Sequence, residues 1–194
     1  MHAFLDFEAS SLAKAGYPIE VAWVFEDGRA ETHLIRPAPA WIDWDERAAA
    51  IHGISRETLL VEGEDVTALA QHMLAALAGH VVHASSPSWD GKWLSLLLRT
   101  AGLPRHALRL RDTDDAQMEA ALAGLAHITD ETDRLARATA LIAEVRAADD
   151  GPIAHRALPD ALHELQLWQE IRRRAAEWSR LDIYHAVIRI TSGP

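Results

Sequence analysis

The chain has 194 residues, of which 49% are hydrophobic and 25% charged, and this composition is typical of a soluble globular domain with a full core. It contains no cysteine, which excludes disulfides and cysteine-ligated zinc sites. Its formal net charge of −10 argues against a protein that coats long nucleic acid with a basic face, but not against one that grips a few nucleotides.

The sequence shows no signal for a membrane or for export. No apolar run approaches the roughly 18–20 residues of a membrane-spanning helix. An acidic strand begins almost at the first residue, where a signal peptide would have a basic and then an apolar region. We therefore expect no membrane partner and a cytoplasmic location.

The first predicted element is a strand within residues 3–12, an apolar run that carries Asp6 and Glu8. Residues i and i+2 of a strand point the same way, so these two carboxylates share one face. Two like charges that close are costly unless a cation lies between them, and oxygen ligands suit Mg²⁺ or Mn²⁺. The same spacing also occurs by chance at strand ends.

Two further strands follow. Residues 19–25 and 30–35 are predicted strands, and Asp27 and Gly28 between them are typical of a hairpin turn. The opening of the chain is therefore predicted to be a three-stranded antiparallel meander.

The rest of the chain is mostly helical. Apolar spacing, capping residues and glycine stops predict its elements. They are helices at 45–51, from Ser55, and at 64–77, a strand at 80–84, a helix at 90–101, a strand at 107–111, and helices at about 114–125, 130–148 and 157–178. An apolar segment at 184–190 is expected to form an edge strand or a dimer contact. This order predicts an α/β fold with helices covering a mixed sheet.

Polar residues mark the starts of two predicted helices. Asp90 follows a short strand, and its ordinary role would be a favourable charge at a helix N-terminus. His155 and Asp160 flank the start of the last long helix, where Pro159 fits the first turn. Taken alone, that segment is a helix start with a chance histidine beside it.

Together these motifs resemble the DEDDh exonucleases, the DnaQ-like 3′–5′ exonucleases that include RNase T, oligoribonuclease and proofreading subunits. The shared pattern is D-x-E, then an aspartate after a short strand, then H-x(4)-D opening a late helix. Residues 50–55, AIHGIS, are also similar to an IHGIT segment of many members. The resemblance is greatest to the small members and implies an RNase H-like fold, with a five-stranded mixed sheet flanked by α-helices in a single domain over residues 1–194.

The resemblance also implies roles for individual residues. The carboxylates of Asp6, Glu8, Asp90 and Asp160 would hold two divalent cations, Mg²⁺ or Mn²⁺, and His155 would be the general base that takes a proton from water. The implied reaction is hydrolysis of phosphodiester bonds at the 3′ ends of single-stranded or short DNA or RNA. The implied products are nucleoside 5′-monophosphates.

Four residues are candidates for contacts with substrate. Ser10, Ser11 and Leu12 match the region after D-x-E where relatives contact the terminal nucleotide, and ordinary burial is the alternative for Leu12. Trp89 stands directly before the third acid, where many relatives have phenylalanine, and a core role is its alternative. Ser86 replaces an asparagine found in many relatives, which affects the prediction of substrate more than that of chemistry.

The remaining polar candidates have structural explanations. His52, before a glycine, is predicted to cap a helix end rather than to bind a ligand. His80 and His83 should face opposite sides of a strand, so they are not predicted to chelate one ion. The arginines at 172–174 are predicted to form a solvated helix face, with phosphate binding as the alternative.

Two other functions stay open from the sequence. A catalytically idle scaffold of the same fold would bind a nucleotide or a partner protein, although all five site residues are present. A proofreading subunit would work only beside a polymerase, and we see no segment typical of polymerase binding. Many small relatives are homodimers, so the resemblance also allows a homodimer, without an interface signal in the sequence.

Overall fold

The computed structural model describes residues 1–149 and 155–191, with side chains described up to residue 182. Its strands are β1 (His2–Ala9), β2 (Pro18–Phe25), β3 (Ala30–Leu34), β4 (Val81–Ala84) and β5 (Leu110–Asp112). Its helices are α1 (Glu46–His52), α2 (Arg56–Glu62), α3 (Val66–Ala76), α4 (Pro87–Thr100), α5 (Thr113–Gly124), α6 (Glu131–Ala147) and α7 (Ala157–Thr191).

The described chain divides into two compact units. The first unit comprises residues 1–113 and 155–165, and the second comprises residues 114–149 and 166–191. The expectation of a single domain over residues 1–194 stays a prediction. No helix in the described ranges is both long and apolar enough to cross a membrane.

The first unit is built on a five-stranded mixed sheet in the order β3-β2-β1-β4-β5. The three N-terminal strands pair antiparallel, as the predicted meander requires. Strand β4 pairs parallel to β1, and β5 pairs parallel to β4. Strand β1 therefore lies at the centre of the sheet, where its two acidic residues are held between paired neighbours.

The alternation along β1 and β2 gives the sheet two different faces. Leu5 is opposite Trp23 and Phe7 is opposite Val21 in the ladder, and all four side chains belong to the hydrophobic core of the first unit. The residues between them point to the other face. Asp6 and Glu8 are on that second face, as predicted.

Local capping determines where the short helices begin. Asp45 accepts a hydrogen bond from the amide of Arg47 at the start of α1, and Ser55 accepts one from Thr58 at the start of α2. Helix α1 ends at Gly53, whose φ of 70° lies in the left-handed region that glycine adopts without strain. These predicted caps are confirmed.

Three predicted boundaries were wrong. Helix α4 begins at Pro87 rather than at residue 90. Proline is tolerated there because the amide hydrogen that it lacks would have no helical partner in a first turn. Strand β5 covers Leu110–Asp112 rather than 107–111. The segment 184–190 belongs to helix α7 and is not an edge strand, since no glycine or proline interrupts the chain between Pro159 and residue 193.

The second unit is helical and has its own hydrophobic cluster. Leu141 of α6 and Ile171 of α7 are fully buried in it together with Ala121 of α5. A Cβ on Gly124 of α5 would lie only 2.5 Å from the Cβ of Ala175 of α7. A glycine is therefore needed where α5 and α7 approach each other.

Candidate active site

Three carboxylates meet beside the central strand. Asp6 and Glu8 come from β1, and Asp160 comes from the first turn of α7. One oxygen from each of the three lies within 4.8 Å of the others. A strand and a helix more than 150 residues apart in sequence thus place an all-oxygen donor set at one point.

Asp6 and Glu8 line a surface cleft, and a fourth carboxylate faces it. Asp90 lies in the first turn of α4, and it lines the cleft together with Asp6 and Glu8. Its side chain is only 3% exposed, and its Oδ2 atom is buried without a hydrogen-bond partner among the described residues. A buried carboxylate oxygen without a partner is costly, and a bound cation would remove that cost.

Three of these carboxylates are difficult to ionise, chiefly because they are buried. The pKa of Asp6 is raised well above its usual value, first by burial and then by the charges of Asp90, Glu8 and Asp160. Burial is also the main reason that the pKa of Glu8 and that of Asp90 rise to about 7. Divalent cations would favour the charged forms, so the donor set and its electrostatics fit hard metal ions.

His155 lies at the edge of this cleft, two residues before α7 begins. Its side chain is exposed and lines the cleft. Its backbone φ is 48°, in the left-handed region that costs a residue with a Cβ about 1 kcal/mol or more. Such strain is most often found at functional sites, and here it accompanies the turn that presents the imidazole to the cleft.

Glu20 is a further site residue that sequence reasoning missed. It lies opposite Glu8 in the β1–β2 ladder and is only 3% exposed. Its carboxylate accepts hydrogen bonds from Nε and Nη2 of Arg156, at 2.9 and 2.6 Å, and from the amide of Ala157, at 3.0 Å. Glu20 therefore anchors the start of α7, between His155 and Asp160. A lone acid in the otherwise apolar strand IEVAWVF was the available signal.

The cleft has an apolar wall beside the carboxylates. Leu12 is 70% exposed and Trp89 is 41% exposed, and both line the cleft, so the alternative of ordinary burial is wrong for each. Trp89 stacks on the buried Trp93 with ring centroids 6.0 Å apart. The amino group of Lys92 lies 5.0 Å from the Trp89 ring and 3.9 Å from the Trp93 ring.

The hydroxyls of the two predicted serines hold the turn after β1. The Oγ of Ser10 is buried and accepts a hydrogen bond from the amide of Tyr17 at 3.0 Å. The Oγ of Ser11 donates to Asp43 and accepts from the amide of Ala13. Ser11 lines the cleft, whereas Ser10 is not among the lining residues. Their contact with substrate stays a prediction.

His52 is the last residue of α1 and is followed by the cap Gly53, and it also lines the cleft, so its predicted capping role and the alternative of a ligand contact both stay open. Its Nδ1 accepts a hydrogen bond from the amide of Ile54 at 3.1 Å, and the ring is 4% exposed. Burial lowers the pKa of His52, so the neutral imidazole is favoured.

The arginines at 172–174 form ion pairs on a helix surface. Arg173 pairs with Glu170 and Glu177, and Arg174 also pairs with Glu170. Arg172 lies 4.5 Å from the centre of the Trp168 ring. The prediction of a solvated helix face is confirmed.

Comparison with known proteins identifies the fold but no family. No protein-family model matches the sequence, and no curated protein matches it. Solved structures do match. A zinc-bound complex of Escherichia coli exonuclease I with single-stranded DNA superposes with a TM-score of 0.63 and 16% sequence identity, over 89% of this chain and 40% of that one.

Two other exonuclease I structures are similarly close. The moderately thermophilic exonuclease I from Methylocaldum szegediense gives a TM-score of 0.62 at 16% identity, over 89% of this chain and 40% of that one. A product-bound exonuclease I gives 0.59 at 14% identity, over 91% and 45% of the two chains. The five-stranded mixed sheet flanked by helices thus matches exonuclease I, which has an RNase H-like fold. The chain spans about two fifths of the length of these neighbours.

Proposed function

We propose that this chain is a metal-dependent 3′–5′ exonuclease of the DEDDh type, which hydrolyses the 3′ ends of single-stranded or short nucleic acid to nucleoside 5′-monophosphates. The observation that carries the proposal is the convergence of Asp6, Glu8, Asp90 and Asp160 on one cleft, with His155 at its edge. The likeness of the fold to exonucleases supports it.

The four carboxylates are proposed to hold two Mg²⁺ or Mn²⁺ ions. When bound, such ions activate water and stabilise the oxygens of a phosphoryl group under attack. Asp90 is buried whereas Asp6, Glu8 and Asp160 are half-buried, so the oxygens of Asp90 depend most on a bound cation for compensation. The carboxylates thus provide both the binding energy for the ions and their position.

His155 is proposed as the general base. Its exposed ring at the cleft edge can accept a proton from water and pass it to solvent. Glu20 keeps His155 in place, because its carboxylate accepts hydrogen bonds from the guanidinium of Arg156 and from the amide of Ala157, the two residues that follow His155. An imidazole nitrogen can both accept and release a proton, which suits the task.

The apolar wall is proposed to receive the terminal bases. Leu12 and Trp89 are exposed beside the carboxylates, where a flat base can stack without regard to its sequence. Lys92 is the one cationic side chain that the structure describes over this wall, so the site offers few contacts to a long phosphate backbone. Together with the net charge of −10, this favours short or single-stranded ends over long duplexes.

The test is an assay with 5′-labelled single-stranded DNA and RNA oligonucleotides, in Mg²⁺ and in Mn²⁺. Stepwise shortening from the 3′ end that stops with a chelator and in Asp6→Asn is the expected result. Glu62→Gln, at an exposed carboxylate of α2, is the matched control and should cleave normally. No shortening of either polymer would favour the idle scaffold of the same fold. Activity that appears only with an added polymerase would favour a proofreading subunit.

The cytoplasmic location and the homodimer stay predictions. The separate question of DNA against RNA is decided by the two arms of the same assay. Ser10 and Ser11 are proposed to support the substrate through the turn that they hold, rather than through their hydroxyls, which already have partners.

A further inference from the structure

A second cluster of metal-binding side chains lies on the opposite face of the sheet. Glu31 and His33 are two residues apart on the edge strand β3, and His72 lies on α3. In the ladder Glu31 is opposite Trp23, which is opposite Leu5, so the cluster is on the core side. Asp6 and Glu8 point to the other side. The cluster is therefore separate from the candidate active site.

The donor atoms of this cluster are already close together. One ligand atom from each of Glu31, His33 and His72 lies within 4.8 Å of the other two. The Nε2 atom of His72 is 2.5 Å from Oε2 of Glu31, and the Nε2 atom of His33 is 3.5 Å from the same oxygen. Three donors of two kinds, imidazole nitrogen and carboxylate oxygen, thus surround one small volume.

His33 has a nitrogen that no group in the described chain satisfies. Its Nε2 atom is buried and has no hydrogen-bond partner there. Its Nδ1 atom is 2.6 Å from Oε1 of Glu64, so Nδ1–H donates to that carboxylate, and in the tautomer with this single N–H the lone pair is on Nε2. In that tautomer the lone pair points toward Glu31 and His72. A carboxylate that orients a histidine ligand in this way is common around bound metals.

Further contacts fix the orientation of the other donors. The indole Nε1–H of Trp23 donates to Oε1 of Glu31 at 3.3 Å, which leaves Oε2 for the cluster. The Trp23 ring also stacks on His33 with centroids 4.8 Å apart. Glu64 thus orients His33 and Trp23 orients Glu31, as residues outside the ligand shell do in metal sites.

We propose that Glu31, His33 and His72 form a Zn²⁺ site with three protein ligands and an open fourth position. Zn²⁺ accepts imidazole nitrogen and carboxylate oxygen in tetrahedral geometry, whereas Mg²⁺ and Mn²⁺ prefer oxygen alone. The His72 side chain is 48% exposed, so the ion can reach the site from solvent. A bound ion would tie the edge strand β3 to α3, across 41 residues of sequence.

The site is tested by counting Zn²⁺ bound to the full chain after dialysis, by elemental analysis. The wild type should retain one equivalent that is lost in His33→Gln and in His72→Gln, while Asp6→Asn keeps it. His80→Gln is the matched control, because His80 belongs to the same unit but not to the cluster, and it should keep the ion. Equal Zn²⁺ in the wild type and both cluster variants would overturn the proposal, and the contacts would then be ordinary ion pairs.

Two further measurements separate ligation from folding. Co²⁺ in place of Zn²⁺ should give the strong visible absorption of a low-coordinate nitrogen site in the wild type and in Asp6→Asn, and not in His72→Gln. Glu64→Gln should weaken Zn²⁺ binding by about 10–100-fold, because Glu64 positions His33 without touching the ion. An unchanged Zn²⁺ affinity in Glu64→Gln, or a Co²⁺ spectrum that disappears only in Asp6→Asn, would contradict the site.

Discussion

Replacing Asp90 with asparagine should stabilise the metal-free protein while abolishing the proposed nuclease activity. Burial raises the pKa of Asp90 from 3.8 to about 7. The folded protein therefore binds more protons than the unfolded chain between these two values, and its stability falls as the pH rises through that window. At about 1.4 kcal/mol for each pKa unit, the ionised side chain costs about 4 kcal/mol at about pH 8.

The expected gain in the free energy of unfolding is smaller than the cost of the ionised carboxylate, because the asparagine amide must also be buried. The side chain is only 3% exposed, so solvent screens the charge little. An amide without full hydrogen bonding costs about 1–3 kcal/mol, which leaves a net gain of about 1–3 kcal/mol at about pH 8. At about pH 5 the folded-state carboxyl is protonated, and the gain should shrink to below about 1 kcal/mol.

The assay is urea unfolding of Asp90→Asn and the wild type with chelator present, at about pH 5 and about pH 8. Glu62→Gln serves as control, since its exposed carboxylate should give the same small effect at both values. The same proteins are then titrated with Mn²⁺, which should stabilise the wild type more than Asp90→Asn. Equal destabilisation by Asp90→Asn at both pH values would refute the argument that burial makes the ionised carboxylate of Asp90 costly in the metal-free protein.

Three other changes test the remaining parts of the site. Glu20→Gln loses charge-assisted hydrogen bonds from Arg156, so the free energy of unfolding should fall by about 2–3 kcal/mol and turnover should slow by about 10–100-fold. Normal turnover in this variant would remove the positioning role of Glu20. His155→Ala should slow cleavage by about 10²–10⁴-fold with Mn²⁺ binding kept, as calorimetry would show; unchanged turnover would exclude it as base. Asp160→Asn should weaken Mn²⁺ binding and stop cleavage, and full activity in that variant would contradict the carboxylate cluster.

Features that depend on neighbours in sequence were predictable. The shared face of Asp6 and Glu8 follows from the two-residue period of a strand, and the structure has them on one face. The caps at Asp45 and Ser55 were correct, because a side chain that bonds an amide two or three residues later needs no tertiary contact. The antiparallel meander was correct for the same reason, since its hairpin turn is local.

Features that depend on distant parts of the chain were not predictable. Glu20 accepts a hydrogen bond from Arg156, which is 136 residues away, and no local pattern in either segment predicts this pair. The grouping of Glu31 and His33 with His72 likewise arises only when α3 packs against the sheet.

The sequence by itself therefore determined which carboxylates share a strand face and the local elements that carry the candidate site residues. The tertiary structure decided which of them meet. It buried the Oδ2 atom of Asp90 without a hydrogen-bond partner among the described residues, left Leu12 exposed at the cleft, and extended α7 through an apolar segment that was expected to be an edge strand or a dimer contact. The physical reason is that burial and long-range pairing depend on the packing of the whole sheet and its helices, whereas capping and strand alternation depend on a few adjacent residues.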